Sequence, residues 1–212
     1  VLRVGLTGAL GAGKSTVGKA LAARGAALID ADQVARDVTG PGSPGERAVL
    51  ERFGDRATAR SGPAGETRRL DRNALAAIVF SDEAERLALE AITHPLIRAE
   101  VLRRLALAGS DALAGDEVVV IEIPLLDAQR RVDYGLDVVV LIDTPEGVAL
   151  RRAVGRGMTE TAARARTAVQ PSDAQRRLLA DQAIANDGSL EDLENAVDEL
   201  WAWLVGMAQG SV

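Results

Sequence analysis

At 212 residues the chain is long enough for one well-buried α/β domain with insertions and short for two independent domains. Hydrophobic residues at 47% and charged residues at 26% give the balance of a globular protein, and a net charge of −6 argues against a general electrostatic footprint for nucleic acid. With no cysteine and one histidine, His94, disulfides and cysteine metal cages are excluded and any metal is expected to be oxygen-bound.

No apolar run approaches the roughly 20 residues of a membrane span. The amino terminus shows neither a basic leader nor a small-residue cleavage site, so the expected compartment is the cytoplasm. Leu2 to Leu6 reads as a buried strand, followed by the glycine loop "GALGAGKS" and a helix from about Lys14 to Arg24. "AALID" gives a second short strand, and "ADQVARDV" a helix that stops before the turn-forming "TGPGSPG". Pro44 to Phe53 and Arg72 to Phe80 have helical spacing, and the glycine- and arginine-rich residues 54–70 between them are expected to form a mobile linker. Asp82 to Ala108 is helical with one break at "THPL", where Thr93 caps and Pro95 opens a new helix.

"EVVVIEIPLL" and "LDVVVLID" are near-continuous runs rich in valine and isoleucine, the pattern of parallel strands covered on both faces, and belong at the sheet centre. Pro145 to Val154, Glu160 to Val169 and Pro171 to Leu179 read as helices, and "QAIAND" as a last strand. The closing helix, about Leu190 to Val205, carries Trp201 and Trp203, read as packing residues and not as a base-stacking platform. Alternating strands and helices imply a doubly wound parallel sheet, with ligand at the carboxyl ends of its strands.

Between the first strand and its helix the full G-x-x-x-x-G-K-S pattern stands at Gly8 to Ser15. Glycines there let successive backbone N–H groups converge on phosphate oxygens at a helix amino terminus, so Gly11, Ala12, Gly13, Lys14, Ser15 and Thr16 are candidate nucleotide-binding residues. Lys14 reaches the outer phosphates and Ser15 is placed to hold magnesium. With lysine only at positions 14 and 19, the chain has no N-K-x-D guanine motif, which argues against a GTP switch. "LIDADQVARDV" puts Asp30 and Asp32 at the carboxyl end of the second strand, where a carboxylate can take the proton of an acceptor hydroxyl attacking a γ-phosphate. Asp30 with Gln33 also fits a capping box, so Asp30 is read either as a cap or as a functional carboxylate. Asp32, in the first turn, is kept ionised by the helix dipole and is assigned the chemistry.

"GLTGALGAGKST" and "LIDAD", then Leu70-Asp71-Arg72, "ITHPLIR" at Ile92 to Arg98, "IPLL" at Ile123 to Leu126 and "NDGS" at Asn186 to Ser189, resemble dephospho-CoA kinases over nearly the whole length. The resemblance implies an α/β P-loop kinase fold with a helical acceptor-binding insertion and a small lid. It implies transfer of the ATP γ-phosphate to the ribose 3′-hydroxyl of dephospho-coenzyme A, with ATP and Mg²⁺ as the cofactors and no nucleic-acid or membrane partner. Asp32 becomes the general base, Lys14 and Ser15 serve phosphates and metal, Asn186 joins the ATP site, and Asp71, Arg72, His94 and Arg98, with Asp32, are the candidate acceptor contacts. The single domain divides into a core (1–40, 116–150, 180–212), an acceptor-binding helical region (41–115) and a lid (151–179). In the lid Arg152 and Arg156 are four apart and so share a helix face, from which they could neutralise charge on the transferring phosphoryl group; a solvated basic face is the other reading. His94, before a proline, also suits a capping or core hydrogen bond.

The resemblance has departures: Glu122 where the family commonly has aspartate before "IPLL", Asp127-Ala128 in place of Phe-Glu after it, a lid that looks one residue short, and an unusual "ATARSGPAGETRR". The alternative readings are another small-molecule P-loop kinase, acting on a nucleoside monophosphate or an alcohol, and a nucleotide-binding module without turnover.

Overall fold

The computed structural model describes residues 1–61, 67–110 and 117–210. In chain order its elements are β1 (Leu2–Gly8), α1 (Lys14–Ala23), β2 (Ala27–Asp30), α2 (Ala31–Val38), α3 (Pro44–Phe53), a 3-10 turn (Gly54–Ala57), β3 (Thr58–Ser61), β4 (Thr67–Leu70), α4 (Arg72–Ser81), α5 (Glu83–Ser110), β5 (Val118–Glu122), α6 (Ala128–Tyr134), β6 (Val138–Asp143), α7 (Glu146–Gly155), α8 (Glu160–Ala168), α9 (Asp173–Leu179), β7 (Gln182–Ala185) and α10 (Leu190–Ala208). They fall into two compact units, Val1–Asp32 with Arg103–Val212, and Gln33–Leu102. The boundary lies inside α2, some eight residues before the 40/41 division read from the sequence.

In the first unit the strands lie in the order β2-β5-β1-β6-β7, each pair parallel. Val118 and Val120 point to one face with Val4 and Leu6, where they pack on Val17 and Leu21 of α1 and on Leu193, Val197, Leu200 and Leu204 of α10. Those α10 positions recur at the spacing of one helix stripe, which explains why this helix seals the sheet. Val119, Ile121, Val139 and Leu141 are equally buried on the other face. Each such side chain withdrawn from water contributes about 1.5–3 kcal/mol, so the valine-rich runs must lie at the centre. Trp201 and Trp203 are half-buried against the α1/α10 core, as packing residues.

The register sets the carboxyl ends. Glu122 of β5 pairs with Leu6 on one side and with Asp30 on the other, and β1 runs on to Gly8 opposite Ile142. The turn after β1, the end of β2 and the end of β5 therefore lie at the same edge of the sheet.

The second unit departs from two sequence expectations. Apart from residues 62–66, which lie outside the described residues, the stretch read as a linker is ordered: a 3-10 turn leads into β3, which pairs antiparallel with β4 from Thr58↔Leu70 to Ser61↔Thr67. Packing supplies the reason. Ala57 and Leu70 join Val49, Phe53 and Leu75 in one core, while buried Glu46 accepts from the Gly42 and Leu70 N–H groups and pairs with Arg69. Against the upward push of burial, these N–H groups and Arg69 hold the Glu46 carboxyl below its ordinary pKa. The second departure is at "THPL", where α5 continues unbroken with Pro95 inside it. Thr93 is no cap; its hydroxyl donates to the Leu89 carbonyl one turn back. A proline inside a helix costs about 3 kcal/mol, and the apolar residues Leu89 and Ile92 before it are held in the unit's core.

Candidate active site

The loop from Gly8 to Ser15 is shaped by what surrounds it. Gly11 and Gly13 have φ of 85° and 98°, and a Cβ on them would stand 2.1 Å from the Ala149 carbonyl oxygen and 2.2 Å from Asn186 Nδ2. Both the backbone conformation and the space require glycine there. Gly13 then caps α1 in the left-handed region, leaving the first N–H groups of the helix unpaired by any side chain at the cap.

Three side chains hold the loop from outside it. Asn186, buried just after β7, donates to the Ala12 carbonyl at 2.7 Å. Thr144, buried after β6, donates to the same carbonyl at 3.1 Å and lies 3.3 Å from the Asn186 carbonyl. Gln170, beyond α8, accepts from the Leu10 N–H at 2.9 Å. Asn186 is thus packed against the loop and its backbone.

Lys14 lies folded onto its own loop, donating to Gly8 O at 2.8 Å and Ala9 O at 3.1 Å. Burial lowers its pKa from 10.5 to about 8, against the charges of Asp32 and Glu122, while Arg176 and Arg156 add to the lowering. Two carboxylates and two guanidiniums are therefore electrostatic neighbours of one ammonium group. Ser15 Oγ donates to Glu122 Oε2 at 2.8 Å. Burial raises the pKa of Glu122, Asp30 and Asp32 raise it further, and Ser15 and Lys14 oppose the shift. Asp32 itself is exposed in the first turn of α2.

The two lid arginines are not equivalent. Arg152 turns inward and donates to the Asn186 carbonyl at 2.9 Å. Helix α7 ends at Gly155, so Arg156 is its cap and not a further position on its face. There it lines a cleft of about 450 Å³ with Leu10, Ala153, Gly157 and Met158. Arg176 of α9 is buried, bonded to the Pro171 carbonyl and paired with Asp173.

The acceptor candidates other than Asp32 belong to the second unit. Asp71 caps α4, accepting from the Asn73 and Ala74 N–H groups, and Arg72 donates to the carbonyls of Arg36 and Thr39. His94 and Arg98 are exposed, four apart and so on one face of α5. Sequence reasoning noticed Glu122 only as a departure and missed Thr144, Gln170 and Arg176. A charged residue ending the apolar run of β5 was the available signal for Glu122; the other three carry none. The departure at Asp127 has a local reason, since Asp127 caps α6 through the Arg130 N–H.

The model of the Dephospho-CoA kinase family matches residues 2–192. The chain belongs to the dephospho-CoA kinase family. A dephospho-CoA kinase of Frankia casuarinae is 48% identical over 198 residues, covering 93% of this chain and 81% of the relative. One from Streptomyces avermitilis is 44% identical over 209 residues, covering 98% and 96%. Among solved structures, a Thermus thermophilus protein superposes with a TM-score of 0.74 at 32% identity, covering 96% of this chain and 97% of its own. The dephospho-CoA kinase of Campylobacter jejuni shares the fold with a TM-score of 0.68 at 24% identity, covering 99% and 98%. The protein is accordingly an ATP-dependent kinase of the last step of coenzyme A biosynthesis. Among the described residues no helix is long and apolar enough to cross a membrane.

Proposed function

We propose that in this dephospho-CoA kinase the loop Gly8 to Ser15, with Thr16, holds the ATP phosphates, and that Asp32 takes the proton of the acceptor's ribose 3′-hydroxyl. The acceptor oxygen bonds to the γ-phosphorus as the bond from that phosphorus to the β,γ-bridging oxygen breaks, giving coenzyme A and ADP. The observation that carries the reading is Lys14 on a glycine-cradled helix terminus, with Ser15 bonded to Glu122 beside it and the charges of Asp32, Arg156 and Arg176 acting on its ammonium group. Such a set can neutralise phosphate charge and accept a proton, and phosphoryl transfer asks little else of a protein.

Lys14 leaves its two loop carbonyls for the outer phosphates, whose negative charge favours its ammonium form. Arg156, at the cleft, answers the charge that develops on the moving phosphoryl group. Asp71, Arg72, His94 and Arg98 are assigned to the acceptor. Magnesium fits the donors present: Ser15 offers a hydroxyl and Glu122 a carboxylate beside it, while no group of three or more ligating side chains among the described residues forms a cage of its own. That is the sparse oxygen set of a metal completed by phosphates and water. Bound there, the ion would neutralise β- and γ-phosphate charge. The cytoplasm is the compartment we assign, with small molecules as the partners.

Phosphorus NMR tests the reading, with ATP, magnesium and one acceptor at a time. A new 3′-monoester is expected with dephospho-coenzyme A, and slow ADP release without acceptor. Higher catalytic efficiency with adenosine monophosphate or a simple alcohol would overturn it.

A further inference from the structure

Gly18 has no evident need to be glycine. It lies inside α1 with ordinary helical geometry, outside the loop, where glycine weakens a helix relative to alanine. It is buried, and a Cβ built on it would stand 2.4 Å from Glu122 Oε1 and 3.2 Å from Glu122 Cδ, with Leu28 Cδ1 also at 3.2 Å. The other oxygen of that carboxylate accepts the Ser15 hydroxyl at 2.8 Å. Ser15 is three residues before Gly18, so the two share a face of α1. The carboxylate of Glu122 thus lies along this face, one oxygen over Gly18 and the other on Ser15.

We propose that Gly18 and Glu122 are a size-matched pair in which the missing side chain at 18 gives a glutamate-length carboxylate the room to reach Ser15, making Gly18 a positioning residue for the phosphate and metal end of the site. An added methyl group would move the carboxylate, because Oε1 is the movable end of its side chain and the helix backbone is not. An aspartate at 122 is one methylene shorter, withdraws from position 18 and no longer spans to Ser15. The functional half of the inference rests on the reading of Ser15 given above; the pairing itself does not.

The test is a cycle of Gly18→Ala, Glu122→Asp and the double variant, read in two ways. Thermal unfolding without nucleotide or metal reports the pairing alone. In the Glu122→Asp background only the Leu28 methyl group still opposes the helix gain of about 1–4 °C for a chain of this size, so Gly18→Ala should give a higher Tm relative to its parent there than with Glu122 intact, where the change should lower Tm. The magnesium concentration for half-maximal turnover reports positioning. Gly18→Ala should raise it at least about threefold with Glu122 present and leave it unchanged in the Glu122→Asp background, the coupling expected of residues in contact. Equal Tm shifts in both backgrounds would overturn the pairing. Coupled Tm shifts with an unmoved magnesium requirement would overturn the positioning role and leave the pairing as packing.

Discussion

The Ala12 carbonyl of the phosphate loop is buried and receives two side-chain donors, Asn186 Nδ2 at 2.7 Å and Thr144 Oγ1 at 3.1 Å. Removing either donor leaves the other, so neither single change orphans the oxygen. Thr144→Val keeps the shape and should cost about 1 kcal/mol, the net worth of one hydrogen bond. Asn186→Ala loses a similar bond and the packing of a buried side chain against Gly13, for about 2 kcal/mol. The double variant leaves a buried carbonyl without a side-chain donor, adding about 1–3 kcal/mol to the sum. It should therefore lose about 4–6 kcal/mol where additivity gives about 3. At about 2–4 °C per kcal/mol for a chain of this size, the three variants separate clearly in thermal unfolding. Isothermal titration with ATP should weaken in the same order, since the loop's N–H groups are aimed by the same anchor. A double variant equal to the sum of the singles within about 0.5 kcal/mol would refute the shared-acceptor argument.

Lys14→Met should abolish acceptor-dependent ADP release while making the empty protein more stable at neutral pH, because a desolvated ammonium is replaced by an apolar chain. The sign follows from the pKa near 8 in the folded protein and 10.5 unfolded: between these values the unfolded chain binds more protons, so wild-type stability gains from Lys14 as pH rises from 8 to 10.5. Denaturant titrations across that window should show the gain in wild type and its loss in Lys14→Met; parallel curves would remove Lys14 as the source. Asp32→Asn should bind ATP nearly as wild type and lose about 10²–10⁴-fold in transfer rate, measured by single-turnover kinetics; an unchanged rate would leave Asp32 without its assigned role. Arg156→Ala should lower kcat by more than it raises the apparent Kd for ATP, since its charge is engaged most in the transition state. Equal kcat at saturation would return this arginine to a solvated surface.

Much of the protein is legible along the chain, because the deciding patterns are local. Strand β1, the glycine loop and α1 are read from contiguous residues, and so are the buried valine runs of β5 and β6, whose two-faced apolarity leaves only the sheet centre open to them. The loop glycines and Lys14 carry their chemistry in their spacing. What the sequence left open depends on partners distant in it. Residues 54–70 look like a linker because arginine and glycine dominate them, yet Ala57 and Leu70 pair them to a core built by α3 and α4. Pro95 looks like a helix break because the backbone rule is local, while the packing that overrides it is not. Asn186, Thr144 and Gln170 reach the loop from 174, 132 and 160 residues away, and Gly18 acquires a meaning only when β5 brings Glu122 over it. A hydrogen bond or a void depends on position in space, and the chain reveals such positions only once the sheet has fixed its register.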